Sequence, residues 1–142
     1  MAELSITIKR NVNAPIEKVF DAWLDPQILS KFMIPMKGMP EPQVENDPRV
    51  GGKFTITMQA GDQSLPHSGE YITIDRPNTL VFSWVSDHSA EGSRVSLDFL
   101  DLDEHTTEVT LTQVKFFDEP AMRDHEGGWT NILETLNTYL AG

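Results

Sequence analysis

Cysteine is absent from the chain. Disulfide bonds, thiolate metal ligands and cysteine nucleophiles are therefore excluded together. The folded state must be stabilised by side-chain packing, without covalent cross-links. The length of 142 residues predicts one domain, 1–142. A chain of this size buries roughly two-thirds of the surface that it exposes when unfolded.

Basic residues and long apolar runs are also scarce. The chain has 11 Lys and Arg against 22 Asp and Glu, which gives a net charge of -11. This charge repels phosphate backbones and anionic lipid surfaces, so we expect neither nucleic acid nor membrane as a partner. No stretch of about 18 apolar residues is present to span a bilayer. The opening residues lack the apolar segment of a secretory signal, and the sequence therefore predicts a cytoplasmic protein.

What the chain does have is alternation of apolar and polar residues with a period of two, which is typical of half-buried strands. The alternation predicts a strand over residues 4–12 and six consecutive strands that begin near residues 44, 54, 69, 80, 93 and 106. Segments rich in Gly, Asp, Asn and Pro separate these strands and supply their turns. We expect the six consecutive strands to pair as an antiparallel meander.

Three segments instead show the three- and four-residue spacing of amphipathic helices. Two of them are short, over residues 16–24 and 27–32, and Asp25-Pro26 separates them. The third covers residues 119–140 and is predicted to be one long helix. Asp118 provides its side-chain cap and Pro120 lies in its first turn, where a missing N–H costs little.

The long helix contains two adjacent glycines, Gly127 and Gly128. Each is about 1 kcal/mol less favourable in a helix interior than alanine, so their presence requires a reason. One interpretation is a bend beside an opening. The other is that two small residues allow the helix to pack tightly against a sheet.

This order of elements predicts an α+β protein in which helices cover one face of an antiparallel sheet of six to seven strands. A sheet of this size twists and curves. The long helix can then lie across its concave face, and a pocket is expected between the two layers.

The chain also resembles a known superfamily. The motifs that carry the resemblance are Asn13-Ala14-Pro15, residues 47–54, Gly69-Glu70-Tyr71, residues 80–84 and residues 125–129. Their order is similar to that of the helix-grip fold of START, Bet v 1 and polyketide-cyclase proteins. Within it the motifs look like the branch related to the C-terminal domain of Aha1, the activator of the Hsp90 ATPase. Relatives often carry a Trp pair after the second helix, whereas this chain has Phe32-Met33.

The resemblance implies a helix-grip fold with an apolar cavity between sheet and last helix, which members of the superfamily use for lipids, polyketides, hormones or other flat apolar molecules. Strand parity and helical spacing identify residues expected to point toward this cavity. These are Phe54, Ile56, Met58, Phe82, Trp84, Leu97, Phe99, Met122, Glu126, Trp129 and Leu133. Each of them is alternatively a plain core residue. Trp84 and Trp129 are expected to offer their indole N–H groups to a ligand.

Catalytic chemistry has little support in the sequence. His67, His88, His105 and His125 are predicted to lie in turns or at a helix start, without metal-ligand spacing. No metal or other cofactor is therefore expected. Glu126 is predicted to face inward, where a carboxylate among apolar groups acts as a general acid or base. The alternative is a structural ion pair or hydrogen bond.

Three functions follow as hypotheses. The first is binding of a small, largely apolar ligand in the cavity, without chemistry. The second is interaction with an Hsp90-type chaperone, as the Aha1 resemblance implies. The third is a cyclase- or hydrolase-type reaction that uses Glu126. We expect a monomer or a weak dimer.

Overall fold

The structure, a computed structural model, describes residues 4–86, 92–116 and 118–141, apart from the side chain of Ala60. Its elements follow one another as the periodicities predict. They are β1 (Ser5–Val12), α1 (Ile16–Ala22), α2 (Pro26–Phe32), β2 (Gln43–Asn46), β3 (Lys53–Ala60), β4 (Gln63–Asp75), β5 (Thr79–Ser83), β6 (Arg94–Asp103), β7 (Thr106–Val114) and α3 (Glu119–Ala141).

The seven strands form a single sheet in the order β1-β7-β6-β5-β4-β3-β2. Every neighbouring pair is antiparallel. The six strands from β2 to β7 form a meander, and β1 pairs with β7 at the opposite edge from β2. The predicted α+β helix-grip architecture is therefore confirmed.

Strand β4 is longer than its sequence predicts. It begins at Gln63 rather than near Gly69, so Pro66 and His67 lie in a strand and not in a turn. Pro66 is tolerated because it pairs with Thr57 of β3 on one side, while on the other side the described residues after β5 reach β4 only as far as Ser68, which pairs with Val85. Proline lacks the N–H that a second neighbour would require, so it is confined to such edges.

One face of the sheet carries the core. Alternate residues of β6 and β7, such as Val95, Leu97, Val109 and Leu111, are completely buried. Helix α3 packs against β1 and α2. It buries Trp129, Ile132, Leu133, Leu136 and Leu140. The spacing of these five side chains matches the predicted apolar stripe.

Helices α1 and α2 are short and are held by local polar contacts. The Asp25 side chain accepts a hydrogen bond from Gln27 N at 2.9 Å and so caps α2. Arg76 of the β4–β5 turn donates to both carboxylate oxygens of Asp21 in α1, at 2.7 and 2.8 Å. The hydrogen bond from Arg76 lowers the pKa of Asp21 below its ordinary value. This ion pair ties α1 to the turn between β4 and β5.

The glycine pair before β3 is required by the backbone. Gly51 has a φ of 84°, which side chains with a Cβ rarely adopt. A Cβ on Gly52 would overlap the carbonyl oxygen of Asp47. Gly52 O also accepts from Tyr71 N at 2.9 Å, which folds this connection onto β4.

Helix α3 is continuous over 23 residues, through both of its glycines. A Cβ on Gly127 would meet no described atom within 4 Å, whereas one on Gly128 would lie 3.2 Å from Pro35 Cβ. Close approach of the loop after α2 therefore accounts for Gly128, and nothing in the structure explains Gly127. In the part of the chain that the structure describes, no helix is long and apolar enough to cross a membrane.

We expect Gly127→Ala to raise the free energy of unfolding by about 0.5–1 kcal/mol, because it improves helix propensity without a steric cost. Gly128→Ala gains the same propensity but must displace Pro35, so its increase should be smaller. Urea denaturation of the two variants measures the difference. A larger gain for Gly128→Ala would contradict the assignment of close packing to Gly128.

Candidate functional site

An open cleft of about 550 Å³ lies between the first half of α3 and the inner face of the sheet. Strands β3 and β4, the segment after β5, the loop after α2 and the helix itself form its walls. The lining residues are Pro35, Met58, His67, Trp84, Asp118, Pro120, Ala121, Asp124, His125, Gly128, Trp129 and Ile132. The volume falls within the range of about 300–1,000 Å³ that is typical of small-molecule sites.

Two indole rings are in contact at the buried base of the cleft, beside Met58 and Ile132. The ring centroids of Trp84 and Trp129 are 4.9 Å apart with an interplanar angle of 57°. Only 3% of Trp84 and 2% of Trp129 is exposed. The His67 ring lies 5.1 Å from the Trp84 ring on the β4 side. Aromatic surface of this kind binds flat apolar groups through large contact areas and favourable ring geometry.

Trp129 is fixed by a hydrogen bond to the sheet. Its Nε1 donates to Gln113 Oε1 at 2.6 Å, and Gln113 Nε2 donates to Ser93 Oγ at 2.9 Å. Gln113 is completely buried on the inner face of β7. The expectation that Trp129 offers its indole N–H to a ligand is therefore wrong, because Gln113 already accepts it.

Trp84 differs from Trp129 in this respect. Its Nε1 is buried and finds no acceptor among the described residues, and the same is true of Trp23 Nε1. A buried donor without an acceptor costs about 1–3 kcal/mol relative to a bonded one. Trp84 lines the cleft, whereas Trp23 lies behind Trp129 with ring centroids 6.4 Å apart. Of these two donors, only that of Trp84 belongs to a residue of the cleft.

The outer part of the cleft is polar and acidic. Asp118 and Asp124 are exposed, and His67 and His125 are half-buried. Asp118 Oδ1 accepts from Ala121 N at 2.9 Å and caps α3, as the sequence predicts. His125 Nδ1 lies 2.8 Å from Ala121 O, which only accepts, so this nitrogen carries the proton. The His125 ring also contacts Phe116 edge-on, with centroids 5.3 Å apart.

The loop after α2 closes the remaining side. Asn131 Nδ2 donates to Ile34 O at 2.7 Å, which ties this loop to α3 beside Gly128. Pro35 then forms part of the wall. Met33 is buried in the core and Met36 is exposed, and neither is among the lining residues.

The structure separates the predicted cavity residues into two groups. Met58, Trp84 and Trp129 line the cleft. The others, apart from Met122 and Glu126, are buried core residues outside it, namely Phe54, Ile56, Phe82, Leu97, Phe99 and Leu133. Met122 is partly buried and packs against the core.

A small void of about 10 Å³ lies deeper, among Trp23, Leu29, Met33, Phe54, Ile56, Tyr71 and Phe82. Its lining includes the hydroxyl-bearing ring of Tyr71, and Asn46 Nδ2 donates to that hydroxyl at 3.0 Å. Burial raises the pKa of Tyr71, so this phenol stays protonated. The void is too small for an organic ligand, and the open cleft is the candidate site.

The predicted orientation of Glu126 is wrong. Its side chain is exposed and does not line the cleft, whereas its neighbour His125 does. Glu126 and His125 lie on opposite sides of the apolar stripe of α3 that contains Trp129, and the His125 side faces the cleft. A carboxylate that faces water lacks the apolar surroundings that the catalytic hypothesis requires.

Several lining residues escaped the sequence analysis. Ala121, His125, Gly128 and Ile132 recur at spacings of four, three and four, which places them on one stripe beside the apolar one. His67 pairs with Ile56 across β3 and β4 and therefore shares its inward face. Gln113 follows Val109 and Leu111 at a period of two. A polar residue on an apolar face is the signal that would have identified it.

Metal binding has no support from the described side chains. Within the described ranges, no group of three His, Asp or Glu residues is arranged to hold a metal ion. The cleft instead combines an apolar aromatic base with polar groups at its mouth, which is suited to binding a molecule by contact area and a few directed interactions.

The sheet, the long C-terminal helix across it and the cleft between them define an α+β protein of the helix-grip type. Residues 13–141 match the sequence model of a family described as Activator of Hsp90 ATPase homolog 1-like protein. The chain belongs to this family. No curated protein matches it.

Several solved structures share the fold. Protein CV1439 from Chromobacterium violaceum is 21% identical, with 97% of both chains covered and a TM-score of 0.84. The AHSA1-like protein from Aeromonas hydrophila is 25% identical over 97% of this chain and 92% of that one, with a TM-score of 0.81. PFC0360w, an Hsp90 activator from Plasmodium falciparum, is 24% identical over 97% and 96%, with a TM-score of 0.77.

We expect Gln113→Leu to lower the free energy of unfolding by about 1–3 kcal/mol, because it leaves the buried Trp129 N–H without an acceptor. In a Trp129→Phe background, the same change should cost about 1 kcal/mol less, since no donor is then left unpaired. A double-mutant cycle by urea denaturation measures the difference. Thr112→Val, on the other face of β7, serves as the control. Equal costs in both backgrounds would show that the hydrogen bond does not hold the helix.

Proposed function

We propose that this protein binds a small, largely apolar molecule in the cleft between α3 and the sheet. The observation that carries the proposal is the base of the cleft, where Trp84 and Trp129 meet at 4.9 Å. The ligand lies against these rings and reaches Met58 and Ile132, which are buried side chains of the same cleft.

The donor on Trp84 supports this proposal independently. A buried N–H without an acceptor is unfavourable in the free protein. A ligand that carries an oxygen or nitrogen acceptor relieves this cost when it binds and the side chains that cover the N–H move aside for the acceptor. The proposed ligand is therefore a flat apolar molecule with at least one acceptor.

The fixed geometry of the cleft walls also favours binding. Gln113 holds the Trp129 ring, and Asn131 holds the loop that carries Pro35. Walls that are ordered before the ligand arrives reduce the entropy lost on binding. The cleft thus has apolar area, a lining residue with a donor that is unpaired in the described part of the chain, and preformed walls.

The indole N–H signals in a ¹⁵N–¹H spectrum test this function directly. We expect a binding member of a library of aromatic and alicyclic ketones, ethers and alcohols to shift the Trp84 signal most, because its donor acquires an acceptor. The Trp129 signal should shift less, since Gln113 retains its N–H, and that of Trp23 should shift least. If no probe at millimolar concentration moves the Trp84 signal, the proposal fails.

The variant Ala121→Phe is designed to block the cleft and so to weaken ligand binding. Ala121 is half-buried and lines the cleft, so a phenyl ring there occupies ligand space without entering the core. Thr138→Phe places the same ring on an exposed part of α3, away from the cleft. Binding should weaken at least about tenfold in the first variant, which is 1.4 kcal/mol, and remain unchanged in the second.

A chaperone-related role is a second candidate, favoured by the family match over residues 13–141. With a net charge of -11, the protein is suited to bind a basic surface on an Hsp90-type ATPase. Electrostatic association of this kind weakens as salt rises.

The expected result is salt-sensitive stimulation of the ATPase by the intact chain, measured as phosphate release at low and high ionic strength. Ala121→Phe should leave it unchanged if the outer surface makes the contact. Absence of both binding and stimulation at low salt argues against this role.

A further inference from the structure

We propose that the ligand of the cleft is cationic: an apolar ring system that carries a protonated amine. This inference rests on the proposed function and names the chemical class of the ligand. The amine lies at the mouth of the cleft near Asp118 and Asp124, and the ring system lies on the two indoles.

The charges around the cleft are of one sign. Asp118 and Asp124 line it, and no Lys or Arg occurs among the described residues that do. Arg123, the basic residue next to Asp124 in sequence, donates to Glu119 at 2.8 Å along the outside of the helix. An ammonium group at the mouth therefore meets two carboxylates without a competing cation from the lining.

The aromatic base holds the apolar part of the ligand. Trp84 and Trp129 are almost completely buried, so the ring system and not the charge lies next to them. Apolar contact and charge thus act on different parts of one molecule, with its ring inside and its charge toward the rim.

The N-terminus of α3 also lines the cleft, and by itself it favours an anion. Its positive end is equivalent to roughly half an elementary charge. Asp118 already caps Ala121 N, and its backbone carbonyl accepts from Met122 N at 3.1 Å. Pro120 has no N–H to offer. Two carboxylates outweigh this remaining partial charge.

Two histidines face the same space. His67 and His125 line the cleft and oppose a cation when they are protonated. At a pH well above 7, an imidazole ring is ordinarily neutral. The preference for a cation is therefore measured at pH 8 and low ionic strength.

Three probes of nearly equal size, each with a methoxy oxygen as acceptor for Trp84, isolate the charge: 4-methoxy-1-naphthylmethylamine, 4-methoxy-1-naphthalenemethanol and 4-methoxy-1-naphthoate. Each is titrated into the intact protein, and the shift of the Trp84 indole signal gives its dissociation constant. We expect the amine to bind about fivefold to tenfold more tightly than the alcohol. The naphthoate should bind most weakly.

The double variant Asp118→Asn with Asp124→Asn tests the two carboxylates. Asparagine is also a good helix cap, so the helix start is retained. The amine should then bind less than about twice as tightly as the alcohol, because the charge attraction is removed. Glu126→Gln with Glu134→Gln makes the same change in net charge on exposed positions of the same helix, and it should preserve the preference.

The outcomes distinguish the two proposals. If the alcohol binds as tightly as the amine, the cleft is a ligand site but the charge inference is wrong. If both double variants lose the preference equally, overall charge and not the rim causes it, and the inference is again wrong. If none of the three probes moves the Trp84 signal, the charge inference and its underlying binding function both fail.

Discussion

The hydrogen bond from Trp129 to Gln113 is the interaction on which the rest of the site depends. It joins the middle of α3 to the inner face of β7 at 2.6 Å. On its C-terminal side the helix buries Ile132, Leu133 and Leu136 completely or almost completely. On its N-terminal side the helical residues are half-buried or exposed, and several line the cleft. The bond therefore marks the point at which close packing ends and the opening begins.

Most of the fold could be predicted from the sequence, because its signals are local. A period of two identifies a strand, and a period of 3.6 identifies a helix. Asp25-Pro26 and Gly51-Gly52 mark boundaries that the structure retains. Strand β4 shows where this reasoning ends. Pro66 and His67 are typical of a turn. Pro66 is accepted in a strand because, among the described residues, only β3 pairs with it, and this is a tertiary fact.

Less of the site could be predicted. Parity correctly places Phe54, Met58 and Trp84 on one face, but it carries no information about depth. Phe54 is enclosed by the rings of Tyr71 and Phe82, with centroids 5.3 Å away in each case. Met58 and Trp84 instead border open space. A cleft is the difference between the volume that the backbone encloses and the volume that side chains fill. No local pattern of residues encodes that difference.

The donor on Trp84 favours a cleft that binds a ligand over one that is incidental. If Trp84 only filled space, a smaller apolar residue would do so without a buried donor. The indole N–H of a tryptophan in a packed core usually has an acceptor. Trp129 follows that rule through Gln113, whereas Trp84, its immediate neighbour, finds no acceptor among the described residues. Within the described ranges Trp23 has the same unpaired donor outside the cleft, so the position of Trp84 in the lining of the cleft, and not the missing acceptor alone, favours an interaction made in the bound state. The same argument requires that the guest carry an acceptor, which a purely hydrocarbon ligand does not.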